Sequence, residues 1–89
     1  MSLLFADDDQ FIGNVAKAVL KSLSPDITVC TDGKQALEAY KANEDFKVII
    51  LDVNMPVMSG LEACREIRKA GFEGTILALS SGILMANLR

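Results

Sequence analysis

Histidine and tryptophan are both missing from this 89-residue chain. Without histidine the commonest general base, the commonest zinc ligand and the phosphohistidine carrier are excluded together. Any chemistry must run on carboxylates and hydroxyls. Aromatic residues make up only 6% of the chain, so its core must be aliphatic. Proline occurs twice, against a hydrophobic share of 51%, which excludes a disordered tail and suits a packed domain. Cys30 and Cys64 have neither metal-ligand spacing nor the density of a disulfide scaffold, so buried reduced thiols are expected. A net charge of -3 and no cluster of Lys and Arg argue against a nucleic-acid face, and Lys17, Lys21, Lys34, Lys41 and Lys47 read as surface charges. No apolar run approaches the ~20 residues of a membrane span, and Leu3-Leu4-Phe5 lacks the flank and length of a signal peptide. No membrane partner and a cytoplasmic location are the expectation.

What is present alternates between two patterns. Leu3 to Ala6 is a short apolar run that stops at Asp7-Asp8-Asp9, as a buried strand does where its end meets solvent. From Gln10 to Leu23 the residues Ile12, Val15, Ala16, Val19, Leu20 and Leu23 follow the spacing of one helix face, with Asp8 or Asp9 as cap and Ser24-Pro25 as stop. Ile27 to Thr31 is a β-branched second strand. Asp32-Gly33 reads as a turn into a short helix, Lys34 to Ala42, carrying Ala36, Leu37 and Tyr40 inward. Val48 to Leu51 is the least interrupted apolar stretch and is placed as a central strand covered on both faces. It ends on Asp52. Ser59-Gly60-Leu61-Glu62 matches a capping box opening a helix with Leu61, Cys64 and Ile67 inward, stopped by Gly71. Thr75 to Leu79 is a fourth strand, ending on Ser80-Ser81, and Gly82 to Leu88 is read as the start of a last helix. Strands and helices in alternation, joined by short loops, predict an α/β domain with a parallel sheet and helices on both faces. One domain over 1–89 is expected.

In an open parallel sheet, ligands gather at the carboxyl ends of the strands. Polar residues arrive there three times: Asp7 and Asp8 after the first strand, Asp52 after the third, Ser80 after the fourth. Carboxylates about 5 Å apart repel by roughly 3 kcal/mol per pair at an effective dielectric of 20, so a cation is called for. All-oxygen ligands select a hard ion, and a small, partly hydrated one is Mg²⁺. Asp52 could then serve as a nucleophile that forms an acyl phosphate.

Phe5-Ala6-Asp7-Asp8-Asp9, the block Ile49-Ile50-Leu51-Asp52-Val53-Asn54-Met55-Pro56 with Ser59-Gly60-Leu61-Glu62, and Leu79-Ser80-Ser81 together resemble the response-regulator receiver family. The resemblance runs from about Leu3 to Ser81. It implies a flavodoxin-like doubly wound sheet, whose strand order is 2-1-3-4 over the strands foreseen here. The usual fifth strand and last helix are expected to be missing, so that the receiver domain is incomplete at its C-terminus. It further implies that Asp52 accepts phosphate from a histidine kinase or histidine phosphotransfer protein. Asp7, Asp8, Asp52 and the backbone carbonyl of Asn54 would organise Mg²⁺, and Ser80 would be the switch hydroxyl. The lysine that the family carries on its fifth strand has no counterpart, since the last lysine here is Lys69, in the third helix. The implied protein is a phospho-switch and not a turnover enzyme. Two alternatives are a truncated or pseudo-receiver that binds protein without transferring phosphate, and a haloacid-dehalogenase-type phosphatase. The phosphatase needs a second aspartate where Asn54 stands. A bare fourth strand would also expose the apolar edge 75–79 and uncover apolar residues of the first helix, so self-association through this region is expected.

Overall fold

The computed structural model describes residues 2–23 and 26–80, and the backbone of 83–85. Eight elements follow in chain order: β1 (Ser2–Ala6), α1 (Gln10–Leu20), β2 (Asp26–Cys30), α2 (Gly33–Ala42), β3 (Phe46–Asp52), α3 (Gly60–Lys69), β4 (Thr75–Ser80) and β5 (Ile83–Met85). They build one sheet in the order β2-β1-β3-β4-β5. The first four strands are mutually parallel, in the order the sequence suggested.

The order explains the layering. The chain steps from β1 to β2 in one direction, then crosses back over β1 to reach β3 and β4. With right-handed crossovers, that reversal puts α1 on one face of the sheet and α2 with α3 on the other. The α2/α3 face is the dry one. Parallel register aligns Leu4 with Ile49 and Ile49 with Ile76, and one step further Ala6 with Leu51 and Leu51 with Ala78. All of these are buried, and most of them join Ala36, Leu37, Tyr40, Ala63, Cys64, Ile67 and Phe72 in a single aliphatic core. Tyr40 meets Phe72 edge to face at 5.4 Å, and Arg68 lies over the same ring while donating to the carbonyls of Phe72 and Gly74.

Several expectations need correcting. Val48 and Ile50 point to the opposite face and are only half-buried, so β3 is central but sealed on one side. On that face α1 is the sole covering helix among the described residues, seated through Gly13, Ala16 and Leu20. Ile12, Val15, Val19 and Leu23, all read as part of the helix's apolar stripe, stay exposed, as does Phe11. A helix this short spans about 16 Å and cannot roof the whole sheet. In α3 the inward residues are Ala63, Cys64 and Ile67, whereas Leu61 is 46% exposed. Asp32-Gly33 is no separate turn: Asp32 caps α2 by accepting from the Gln35 amide, and Gly33 is its first residue.

The largest correction concerns the end of the chain. Residues 83–85 form an extended strand pairing antiparallel with Ala78, Leu79 and Ser80, not the start of a helix. A fifth strand therefore exists, though short and antiparallel, and it covers part of the β4 edge that was expected to lie bare. Ser81, Gly82 and residues 86–89 lie outside the described residues, as do Ser24 and Pro25.

Candidate functional site

Register builds the site. Ala6 lies opposite Leu51 in parallel β1 and β3, so the next residues on each chain, Asp7 and Asp52, emerge side by side at the same edge of the sheet. Neighbouring strands are about 4.8 Å apart, which fixes how near two such carboxylates can come. One oxygen from each of Asp7, Asp8 and Asp52 falls within 4.8 Å of the others. The three surround a pocket of about 410 Å³ lined by Asp7, Asp8, Asp9, Ile12, Asp52, Asn54 and Leu79.

Each acid is held differently. Asp7 is buried, its own amide donating to the Cys30 carbonyl at 3.1 Å and its Oδ1 accepting from the Asp9 amide at 2.9 Å. Burial pushes its carboxyl above the ordinary range; the Asp9 N–H opposes this, and the negative charges of Asp52, Asp8 and Asp9 add to it. Asp9 turns away to cap α1, accepting from the Phe11 amide, which decides the cap left open between Asp8 and Asp9. Asp52 is half-buried and accepts from the Asn54 amide at 3.3 Å. That bond folds the loop back so that Asn54 shares the pocket.

The donor set fits a hard divalent cation. It is entirely oxygen, and no soft ligand competes: burial first, then the charge of Asp32, raises the Cys30 thiol to about 11, and burial raises Cys64 against the opposing charges of Arg68 and Arg65. Two foreseen residues are placed less tightly. Asn54 sits in the pocket, while Ser80 is half-buried at the end of β4, one step past Leu79, the residue in register with Asp52. Leu79, not Ser80, lines the pocket.

Sequence reasoning missed how the Asp52 loop is held. Met55 and Met58 pack their side chains against the core, so the loop is pinned from beneath. Its base is closed by the Gly60 amide donating to Val53 O at 3.0 Å and the Val53 amide donating to Leu79 O at 2.8 Å. Gly60 can be nothing larger, since a Cβ there would stand 2.1 Å from the Asp52 carbonyl oxygen. Ser59 caps α3 by accepting from the Glu62 amide, as the capping box predicted. The forward signal of the pinning was Met58, which reads from the sequence as a packing residue; Met55 carried none that periodicity could assign outside a helix or strand.

Comparison with known proteins agrees with this geometry. A sequence profile of the response regulator receiver domain matches residues 3–86. Two-component response regulator 24 of Arabidopsis thaliana is 29% identical over 75 residues, covering 83% of this chain and 54% of the plant protein. The aerobic respiration control sensor protein ArcB of Escherichia coli is 35% identical over 69 residues, covering 78% of this chain and 9% of the sensor. The chain thus spans about half of the first relative and a small part of the second. Among solved structures, the response regulator TrrA of Thermotoga maritima, in complex with Mg²⁺ and beryllium fluoride, superposes with a TM-score of 0.82 at 32% identity, over 91% of this chain and 70% of that one. The chemotaxis protein CheY4 of Vibrio cholerae gives 0.81 at 32% identity, over 88% and 66%. Sheet order, an acidic edge at the ends of β1 and β3, and a profile match over nearly the whole length lead to one conclusion: this chain belongs to the response regulator receiver domain family.

Proposed function

We propose that Asp52 is the phosphoacceptor of this receiver domain, taking a phosphoryl group from a histidine kinase or histidine phosphotransfer protein in the cytoplasm. The observation that carries the reading is the convergence of Asp7, Asp8 and Asp52 within 4.8 Å in one open pocket. Asp7, Asp8, Asp52 and the Asn54 backbone carbonyl would hold Mg²⁺. When bound, that ion neutralises the carboxylates and the incoming phosphoryl oxygens.

The chain's own residues do the rest. An Asp52 carboxylate oxygen attacks phosphorus in line, the P–N bond of the phosphohistidine breaks, and its electron pair stays on the imidazole nitrogen. Asp7 and Asp8 would hold the ion beside Asp52, whose carboxylate shares the same cluster. Asn54, an amide where a phosphatase of this type needs an acid, offers no carboxylate to activate water, so the acyl phosphate is lost slowly and no turnover follows. Ser80 at the end of β4 is the switch hydroxyl, donating to a phosphoryl oxygen.

The test is incubation with Mg²⁺ and acetyl phosphate, read by intact mass. The wild-type chain should gain one phosphoryl group, and the gain should vanish in Asp52→Asn and with chelator. A folded wild-type chain that gains nothing, and whose NMR spectrum ignores Mg²⁺ with beryllium fluoride, would leave a protein-binding module as the function.

A further inference from the structure

The loop joining Asp52 to α3 is clamped from a second direction. The Gly33 amide, at the first residue of α2, donates to the Met58 carbonyl at 3.0 Å. The approach is so close that a Cβ on Gly33 would stand 2.2 Å from Met58 O, 2.9 Å from Met58 C and 3.0 Å from Ser59 O. These are backbone atoms, so nothing flexible can step aside. One residue earlier, Val57 has φ +68°, and the Met58 amide donates to Pro56 O at 2.7 Å across it. That pair of features is a γ-turn of the strained hand, adopted here by a β-branched residue that is 77% exposed and draws almost no burial in return. Strained backbone persists only where its surroundings over-determine it.

We propose that Gly33 is a positioning residue for the metal and phosphoacceptor site, acting through Met58 on the loop that carries Asp52 and Asn54. The inference rests on the phosphoacceptor reading above. The physical route is short. Segment 53–60 is a ring closed at its base by the Gly60–Val53 hydrogen bond, with Met55 and Met58 anchored in the core. With the base fixed and the methionines held by the core, a push at Met58 passes along Val57, Pro56 and Met55 to Asn54, next to the base. The Gly33 N–H bond holds Met58 in the position that the Val57 turn would otherwise relax. Rigid α2 thereby sets where Asn54, whose amide donates to the Asp52 carboxylate, sits at the pocket.

The experiment uses the whole chain with Mg²⁺ alone, followed by amide NMR. In the wild-type protein, Mg²⁺ should shift the Asp52–Asn54 amides and slow hydrogen exchange at the Gly33 amide. Gly33→Ala should displace the same loop amides before any metal is added and weaken Mg²⁺ about tenfold, the scale expected when a support behind metal ligands is removed. Adding Val57→Gly, which lets the turn relax around the new methyl, should recover most of that loss. A merely structural glycine would not be rescued by a change in another segment. Folded Gly33→Ala with wild-type Mg²⁺ affinity, or equal weakening with and without Val57→Gly, overturns the proposal. If Gly33→Ala does not fold, the wild-type Gly33 amide decides: exchange unprotected and indifferent to Mg²⁺ overturns it. A wild-type chain that shows no Mg²⁺ shifts at all overturns instead the phosphoacceptor reading on which this one rests.

Discussion

At the scale of single residues, Asp7 shows how a binding site works against the fold that carries it. Its carboxyl is raised, chiefly by burial, so the folded state holds the proton more tightly than the unfolded chain, where the value is about 3.9. Below that pH both states are protonated and Asp7 is without cost. As pH rises through the folded value the stability is lost, because the unfolded state ionises first. In chelator, Asp7→Asn should therefore raise the urea midpoint at neutral pH, with the gain shrinking to nothing below about pH 4. Mg²⁺ should reverse the ranking, stabilising the wild type and not the variant. Parallel pH profiles for the two proteins would remove Asp7 as the strained acid. The two buried thiols, by contrast, should stay inert to mild alkylation at neutral pH, as both are held in the protonated form.

At the scale of elements, the three helices among the described residues begin on side-chain caps, Asp9, Asp32 and Ser59: the sequence foresaw Ser59 and offered Asp9 beside Asp8, while Asp32 read as part of a turn. Of these, Ser59 has the most to do, standing between the Asp52 loop and α3. Ser59→Ala should cost about 1 kcal/mol in urea unfolding, with Ser59→Asp restoring most of it. No change from Ser59→Ala would mean the start of α3 is held by packing alone. On the sheet, β5 covers β4 at Ala78 to Ser80, which narrows the edge offered by 75–79 without removing it. A three-residue antiparallel strand adds little by itself and should be the first part of the sheet to exchange its amides.

At the scale of the whole molecule, the two faces are unequal. The α2/α3 face holds the sealed core, while the other side carries exposed Phe11, Val15 and Val19 on α1 and half-buried Val48, Ile50, Leu77 and Leu79 on the sheet. An apolar surface of this kind on a small domain drives association. Sedimentation should show a mass that rises with concentration, and Phe11→Ser with Val19→Ser should lower it. A concentration-independent monomer would count against both the edge and the helix face as contacts. No helix among the described residues is long and apolar enough to cross a membrane.

The local pattern of this chain determined its alternation of strands and helices, most of its caps, and the three places where an apolar strand runs out on a polar residue, two of them acids and one the Ser80 hydroxyl. Those are short-range matters, set by periodicity and by which side chains satisfy free backbone groups. It also named Asp7, Asp8 and Asp52, because a buried strand has to end where a carboxylate meets water. Only the tertiary structure decided which helix faces were covered, because burial depends on what lies opposite: Leu61 and Val15 carry the same hydrophobic signal as Ile67 and face solvent. Residues 83–85 became a strand because β4 offered them backbone partners, which no local propensity encodes. The clamp of Gly33 on Met58 joins residues 25 positions apart through backbone atoms alone. A contact made by a missing Cβ and a carbonyl leaves no side-chain pattern to read, so it waited for the fold.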